Sequence, residues 1–295
     1  MGLTLGLAAG LTWGVADFTA RFASRRAGSY RTSFFMQLTG LMALSVYFCT
    51  TGGWSQFRIG SAGWQPWAWA IAGGILNAGC SLAFYRSLET GVLAIVAPIS
   101  SSYPALTLLL SVWSGEKMTA LRLAGVFVIL AGVIFASTSF QNGAATAGAV
   151  PGGHHVHLSR GVGWAIAACL GFGVMFWLLG FHVIPALGGF VSVWVVRGMT
   201  FLTLGFAAVP ARQSLRLPGA SVFWMIAAVG IMDTAAFVFN NLGLTSGDVA
   251  VVTVLASLFG AVTVFLAWIF LRERLERNQW LGILLIFLGI VFVSR

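Results

Sequence analysis

Charge is scarce in this chain: Asp, Glu, Lys and Arg make up 8% of its 295 residues, where a soluble domain carries about 25%. That shortage excludes a water-wetted surface. With 59% hydrophobic residues and a mean hydropathy of +0.94, the main solvent must be lipid. Cysteine is scarce too. Cys49, Cys80 and Cys169 lie in or at the edge of apolar runs; an odd number there, without Cys-x-x-Cys, argues against a disulfide framework. No basic residue precedes the first apolar run, so residues 2–22 read as a retained span rather than a cleaved secretory signal. The motif Gly-x-x-x-x-Gly-Lys-[Ser/Thr] is absent, so any ATP coupling would need another subunit. No apolar run holds His with Asp or Cys at ligand spacing. An intramembrane enzyme, the alternative from another class, therefore lacks a nucleophile–base pair or a metal set, and no cofactor is expected.

What is present is a series of apolar runs of a length that crosses the hydrocarbon core as helices. They cover residues 3–22, 32–50, 67–88, 92–113, 121–137, 162–181, 188–209, 221–244, 249–271 and 279–293. The longest polar connection, 138–160, is rich in Gly and Ala and carries Pro151, His154, His155 and His157. With no Cys or carboxylate beside the histidines it reads as a flexible linker, not a metal site. It divides the chain into 1–137 and 161–295.

The two parts repeat each other. A shift of 156 places Asn77 on Asp233, Phe84 on Asn240, Tyr85 on Asn241 and Gly91 on Gly247. A shift of 157 places Glu116, Gly125, Gly132 and Ser137 on Glu273, Gly282, Gly289 and Ser294. Leu11-Thr12-Trp13-Gly14 meets Leu170-Gly171-Phe172-Gly173 at a shift of 159. Five runs per half is an odd number, so the second half enters the membrane upside-down. The expected fold is an all-α polytopic membrane protein, ten transmembrane helices in a 5+5 inverted-topology repeat, the plan of secondary carriers with a site between the halves.

A net charge of +9 and a pI near 10.8 come from basic residues scattered between apolar runs. They suit anionic lipid headgroups and bilayer orientation, not nucleic acid. One set of loops holds Arg58, Lys117, Arg122 and Arg295; the opposite set holds Arg21, Arg25, Arg26, Arg31, Arg86, Arg160, Arg212, Arg216, Arg272, Arg274 and Arg277. By charge count both termini face away from the cytoplasm.

The pattern Pro98…Glu116…Gly125…Gly132 and Glu273…Gln279-Trp280-Leu281-Gly282…Gly289, with Trp13-Gly14 in the first run, resembles the EamA-type carriers of the drug/metabolite transporter superfamily. The resemblance spans essentially the whole chain. It implies a 5+5 inverted repeat around a central cavity, movement of small metabolites, often amino acids, and no nucleotide hydrolysis. It also implies cytoplasmic termini, against the charge count. Leu255 stands in the second copy where the first has Pro98, one residue out of register, a departure from matched kinks.

Ionisable groups inside spans cost at least ~2.5 kcal/mol each and need a reason. Asp233 and its counterpart Asn77 are expected to line the cavity from opposite halves, with Asp233 coupling protons or binding an amine; the alternative is an Asp233–Arg197 pair that only fixes packing. Arg197, with Gln37 roughly opposite, suits an anionic group through its bidentate fork, or is neutralised by Asp233. Asp17 stands one turn from Arg21 and reads as an interfacial salt bridge, with gating as the lesser reading. Asn240, Asn241 and Tyr85 lie at matched mid-span positions. Pro98 and Pro104 are helix-kink residues bracketing Ser100, Ser101, Ser102 and Tyr103, whose mirror is Thr253, Ser257, Phe259 and Gly260. Freed carbonyls there favour a cavity lining. Mid-span Trp13, Trp177, Trp194 and Phe237 admit an aromatic-walled cavity or plain packing. Glycines 2, 6, 10 and 14 form a close-packing stripe on the first span. Gly125/Gly132 and Gly282/Gly289 give flat faces that meet each other or a second copy, so the chain is a monomer or a homodimer.

Together these features describe a transporter, not an enzyme. Its partners are a small-molecule solute, membrane lipid and protons, in a bacterial-type inner membrane, with export one of the two directions. A lipid-linked-substrate flippase is the alternative of the same architecture.

Overall fold

In a membrane every backbone polar group must be satisfied within the chain, which leaves helices for a sequence with these long apolar runs. The computed structural model describes residues 2–57, 62–115, 119–139, 157–158, 160–246, 252, 255–273, 275–293 and 295. The helices are α1 (Gly2–Ala27), α2 (Ser29–Thr51), α3 (Gln65–Thr90), α4 (Leu93–Ser101), α5 (Pro104–Trp113), α6 (Ala120–Ser137), α7 (Val162–Leu178), α8 (Ile184–Ala208), α9 (Ala220–Ser246), α10 (Phe259–Leu266) and α11 (Arg277–Val293). A two-residue β pairing, Thr138–Ser139 with His157–Leu158, ties the ends of the central connection. Glu116, Lys117, Arg58, His154, His155, Gly247, Thr253, Arg274 and Ser294 lie outside the described residues.

Among the described residues five helical stretches are long and apolar enough to cross a bilayer, and shorter apolar helices accompany them. One of the five covers Val162 to Ala208, 47 residues, with a kink inside it. At 1.5 Å per residue that is about 70 Å, twice what one crossing needs. The chain reverses inside it, through a π turn at Leu179–Val183 and Gly188, whose φ of 74° is open to glycine at little cost. Gly28, φ 87°, makes the equally abrupt turn from α1 to α2.

Packing follows the exchange of halves. Helix α1 lies on α9 as α7 lies on α3; α1 meets α10 as α7 meets α4 and α5; α2 meets α9 as α8 meets α3. The pairs α2–α8, α4–α10 and α6–α11 close the set across the centre. Individual contacts obey the same exchange: Gly14 is covered by Val262, and its repeat partner Gly173 by Leu106. The glycine stripe of α1 delivers the expected close approach, with Gly6 and Gly10 against the backbone at Val252, Leu255 and Ala256.

The run expected at 92–113 is two helices. Pro98 sits inside α4, and the break comes at Ser102–Tyr103 because Pro104 begins α5. Proline is tolerated at a first turn, where its missing N–H has no partner to lose. Polarity is inverted relative to a soluble protein: Arg197, Gln37, Asn77 and Asn241 are buried, while Phe127, Leu130, Ile134, Phe206 and Leu284 are exposed. Those faces suit lipid.

Candidate functional site

The helices line a central cavity, open to one side, with about 660 Å³ of space free of protein atoms, its mouth included. Its walls come from both halves in matched positions. Trp13 faces it with its repeat partner Phe172, Asp17 with Phe176, Gln37 with Arg197, Asn77 with Asp233, Ser81 with Phe237, and Tyr103 with Phe259. The partners share position but not chemistry. The first half contributes most of the polar groups, and the second contributes rings and the Arg197–Asp233 pair.

The rings form a continuous box. Tyr103 stacks on Phe176 at 4.7 Å, and Phe176 meets Phe237 edge-on at 5.6 Å. Trp13 sits 6.0–6.3 Å from Phe259, Phe237 and Phe176. Pairs at these separations stabilise one another by about 0.5–1.5 kcal/mol beyond burial, so the box holds its shape without a guest.

The central charge is a buried ion pair. Arg197 donates to Asp233 Oδ2 through one Nη and to Gln37 Oε1, 2.8 Å away, through the other. Asp233 Oδ1 also accepts the indole N–H of Trp13 at 2.9 Å. The Nε of Arg197 has no hydrogen-bond partner among the described residues. Asn77 is held in place by a bond to Thr200 Oγ1 at 3.0 Å.

Asp17 departs from expectation. Arg21 pairs with Glu273, not with Asp17, because the loop after α10 brings Glu273 against the end of α1. Asp17 is 6% exposed, lines the cavity, and has no hydrogen-bond or ion-pair partner among the described residues.

Residues Trp13, Asp17 and Arg21 follow one face of α1 at intervals of four, so the Arg21–Glu273 pair lies one turn beyond the cavity. Glu273 also accepts the backbone N–H groups of Leu93 (3.3 Å) and Ala94 (2.9 Å), capping α4. Arg25 donates to Gly91 O at 3.1 Å. Three segments are thereby tied across one end of the cavity. Replacing Glu273 by Gln keeps an acceptor for the cap but removes the charge. It should lower stability by about 1.5–3 kcal/mol, the worth of a hydrogen bond to a charged group. A cysteine placed at Ser100 should then react faster with an impermeant thiol reagent. Unchanged melting and reactivity would show that the latch closes nothing.

Of the residues singled out in the sequence, Trp13, Asp17, Asn77, Tyr85, Tyr103, Arg197 and Asp233 line the cavity together. Four do not. Asn240 and Asn241 are buried between helices, Asn241 donating to Gly189 O at 3.4 Å. Ser101 turns its hydroxyl back to Pro98 O and packs on Gly260. Trp177 lies at the end of α7, donating to Ser114 Oγ at 2.9 Å. Trp194 likewise donates to Ser45 Oγ at 2.9 Å, beside Trp54 and Phe57. Sequence reading did not single out Met36, Ser81, Met175 or Phe176. The repeat shift applied to Asp17 would have found Phe176. Among the described residues no three His, Cys, Asp or Glu side chains converge to hold a metal ion.

An apolar helical bundle around a cavity that is polar on one side and aromatic on the other is the build of a membrane transporter. The chain matches the EamA-like transporter family over residues 1–138 and again over 159–295. It belongs to that family, and so to the drug/metabolite transporter superfamily of integral membrane proteins. No curated protein matches it. A solved crystal structure described simply as that of a protein shares 17% identity and a TM-score of 0.65 over 99% of this chain and 95% of its own; that likeness concerns the fold.

Proposed function

We propose that the protein is a secondary transporter that carries small organic solutes through the central cavity by alternating access. The carrying observation is the cavity itself: repeat-matched residues from both halves converge on one polar and aromatic site. The helices then make ten spans in two inverted sets of five, 1–137 and 161–295 joined by 138–160, in a bacterial-type inner membrane.

Helix α1 presents glycines to the ninth segment and α6 presents glycines to α11, so the halves touch along flat surfaces able to slide. The Arg21–Glu273 latch closes one end. At the other end the repeat places Gly180 where Arg21 stands, so the two ends cannot be closed in the same way. Such asymmetry lets one conformation be favoured until solute binds. Coupling to protons would use a cavity carboxylate.

The test is uptake into liposomes reconstituted with the purified protein, using a panel of labelled amines, amino acids and neutral metabolites, with and without a pH gradient. At least one solute should enter faster than into protein-free liposomes, and Arg197→Met should reduce that rate. Folded protein that moves none of them under either gradient would overturn the transporter mechanism.

A further inference from the structure

We infer that Asp17 is the cation site of the cavity and that the solute is a monocationic amine with an aromatic or other apolar body. This rests on the transporter reading above and names its substrate class. The cavity holds two carboxylates and one guanidinium. Arg197 is committed to Asp233, which also takes the Trp13 N–H. Asp233 is thus neutralised and satisfied where it stands, and Asp17 is left as the cavity carboxyl group with no partner among the described residues.

A buried carboxylate without a partner is costly unless something neutralises it. No cation among the described residues does so: Arg21, one turn away, is held by Glu273. The surroundings specify what can. Across the cavity from Asp17 in the repeat stands Phe176, stacked on Tyr103 and edge-on to Trp13 and Phe237. Ring faces attract cations, most strongly when desolvated, and the rest of the box accepts an apolar body. An anion would meet the unpaired carboxylate, and a neutral solute would leave it to be neutralised by a proton alone.

A proton and the amine compete for the same oxygens, which supplies exchange: the solute binds the ionised carboxylate, and a proton replaces it on release. The titratable and charged groups facing Asp17 are Asp233 on α9, Arg197 on α8, Tyr85 on α3 and Tyr103 at the start of α5, with Arg21 on its own helix. Amine affinity is therefore expected to fall as pH falls.

Binding is read by quenching of tryptophan fluorescence in the purified protein, with three probes of one shape: phenethylammonium, phenethyl alcohol and phenylacetate. The wild-type protein should bind phenethylammonium at least tenfold more tightly than either other probe, and acidification should weaken that binding alone. Asp17→Asn should erase the tenfold preference, and Asp17→Glu should retain part of it. Equal affinity for the three probes, or a preference that survives Asp17→Asn, overturns the assignment. The wild-type comparison stands even where a variant does not fold. If liposomes take up neutral or anionic solutes but not phenethylammonium, the substrate class is wrong and the transporter stands. If phenethylammonium binds with the expected preference and no solute of the panel moves, the cation site stands and the transport mechanism falls.

Discussion

Asp233→Asn should destabilise the protein by about 3–5 kcal/mol, Arg197→Met by less, and the double variant by less than Asp233→Asn alone. Removing one partner of a buried pair leaves the other charge uncompensated, whereas removing both leaves a neutral site. The order of the single variants follows from exposure. The Asp233 side chain is 23% exposed, on the cavity side, so alone it can be rehydrated. Arg197 is 2% exposed and cannot give up its proton. Deprived of Asp233 it would keep only Gln37 and Met36 as partners, with its Nε already unsatisfied. Asn at position 233 still accepts the Trp13 N–H, so the loss isolates the charge. The measurement is the denaturation midpoint in one detergent at one scan rate, because membrane proteins of this size commonly unfold irreversibly. A double variant no more stable than Asp233→Asn would mean that the pair is not the source of the cost.

The class of fold and the repeat were legible because lipid imposes a simple rule on composition, and because glycines and mid-span polar residues recur at fixed shifts. Asn77 with Asp233 was readable in this way, and both face the cavity. The alternative weighed for Asp233, a pair with Arg197, is what the structure shows. Which face of a helix a polar residue presents was harder to read. Asn240 and Asn241 are as polar and as central as Asn77, yet they point between helices, and no amphipathic contrast marks that difference where both faces of a span are apolar. Arg21 was misassigned because the nearest carboxylate in sequence is Asp17, four residues back. Its actual partner, Glu273, lies 252 residues away and is delivered by the pairing of α1 with the ninth segment. That long-range pairing is also what leaves Asp17 unpaired.

Gly132→Ala and Gly282→Ala should each destabilise the protein by about 1–3 kcal/mol, and the double variant should cost clearly less than their sum. A methyl at Gly132 would stand 2.7 Å from the carbonyl oxygen of Gly282, and one at Gly282 would stand 2.7 Å from that of Gly132. Both obstacles are backbone, so neither can rotate aside, and α6 and α11 must part, the usual cost of overpacking. Alanine in a helix is intrinsically favoured over glycine by about 1 kcal/mol, so any loss measured is net of that gain and understates the packing term. Residues that share one contact are not additive: once the helices have separated for the first methyl, the second finds room. Gly79 supplies the control. It lies within α3, and a Cβ built on it meets nothing within 4 Å. Gly79→Ala should therefore be neutral or stabilising by about 0.5–1 kcal/mol. Additive losses at 132 and 282, or a loss at 79 of the same size, would show that the effect is helix propensity or lipid contact. The reciprocal pattern, by contrast, requires the two glycines to face each other across the last pair of helices, at the positions the repeat assigns to the outer edge of each half.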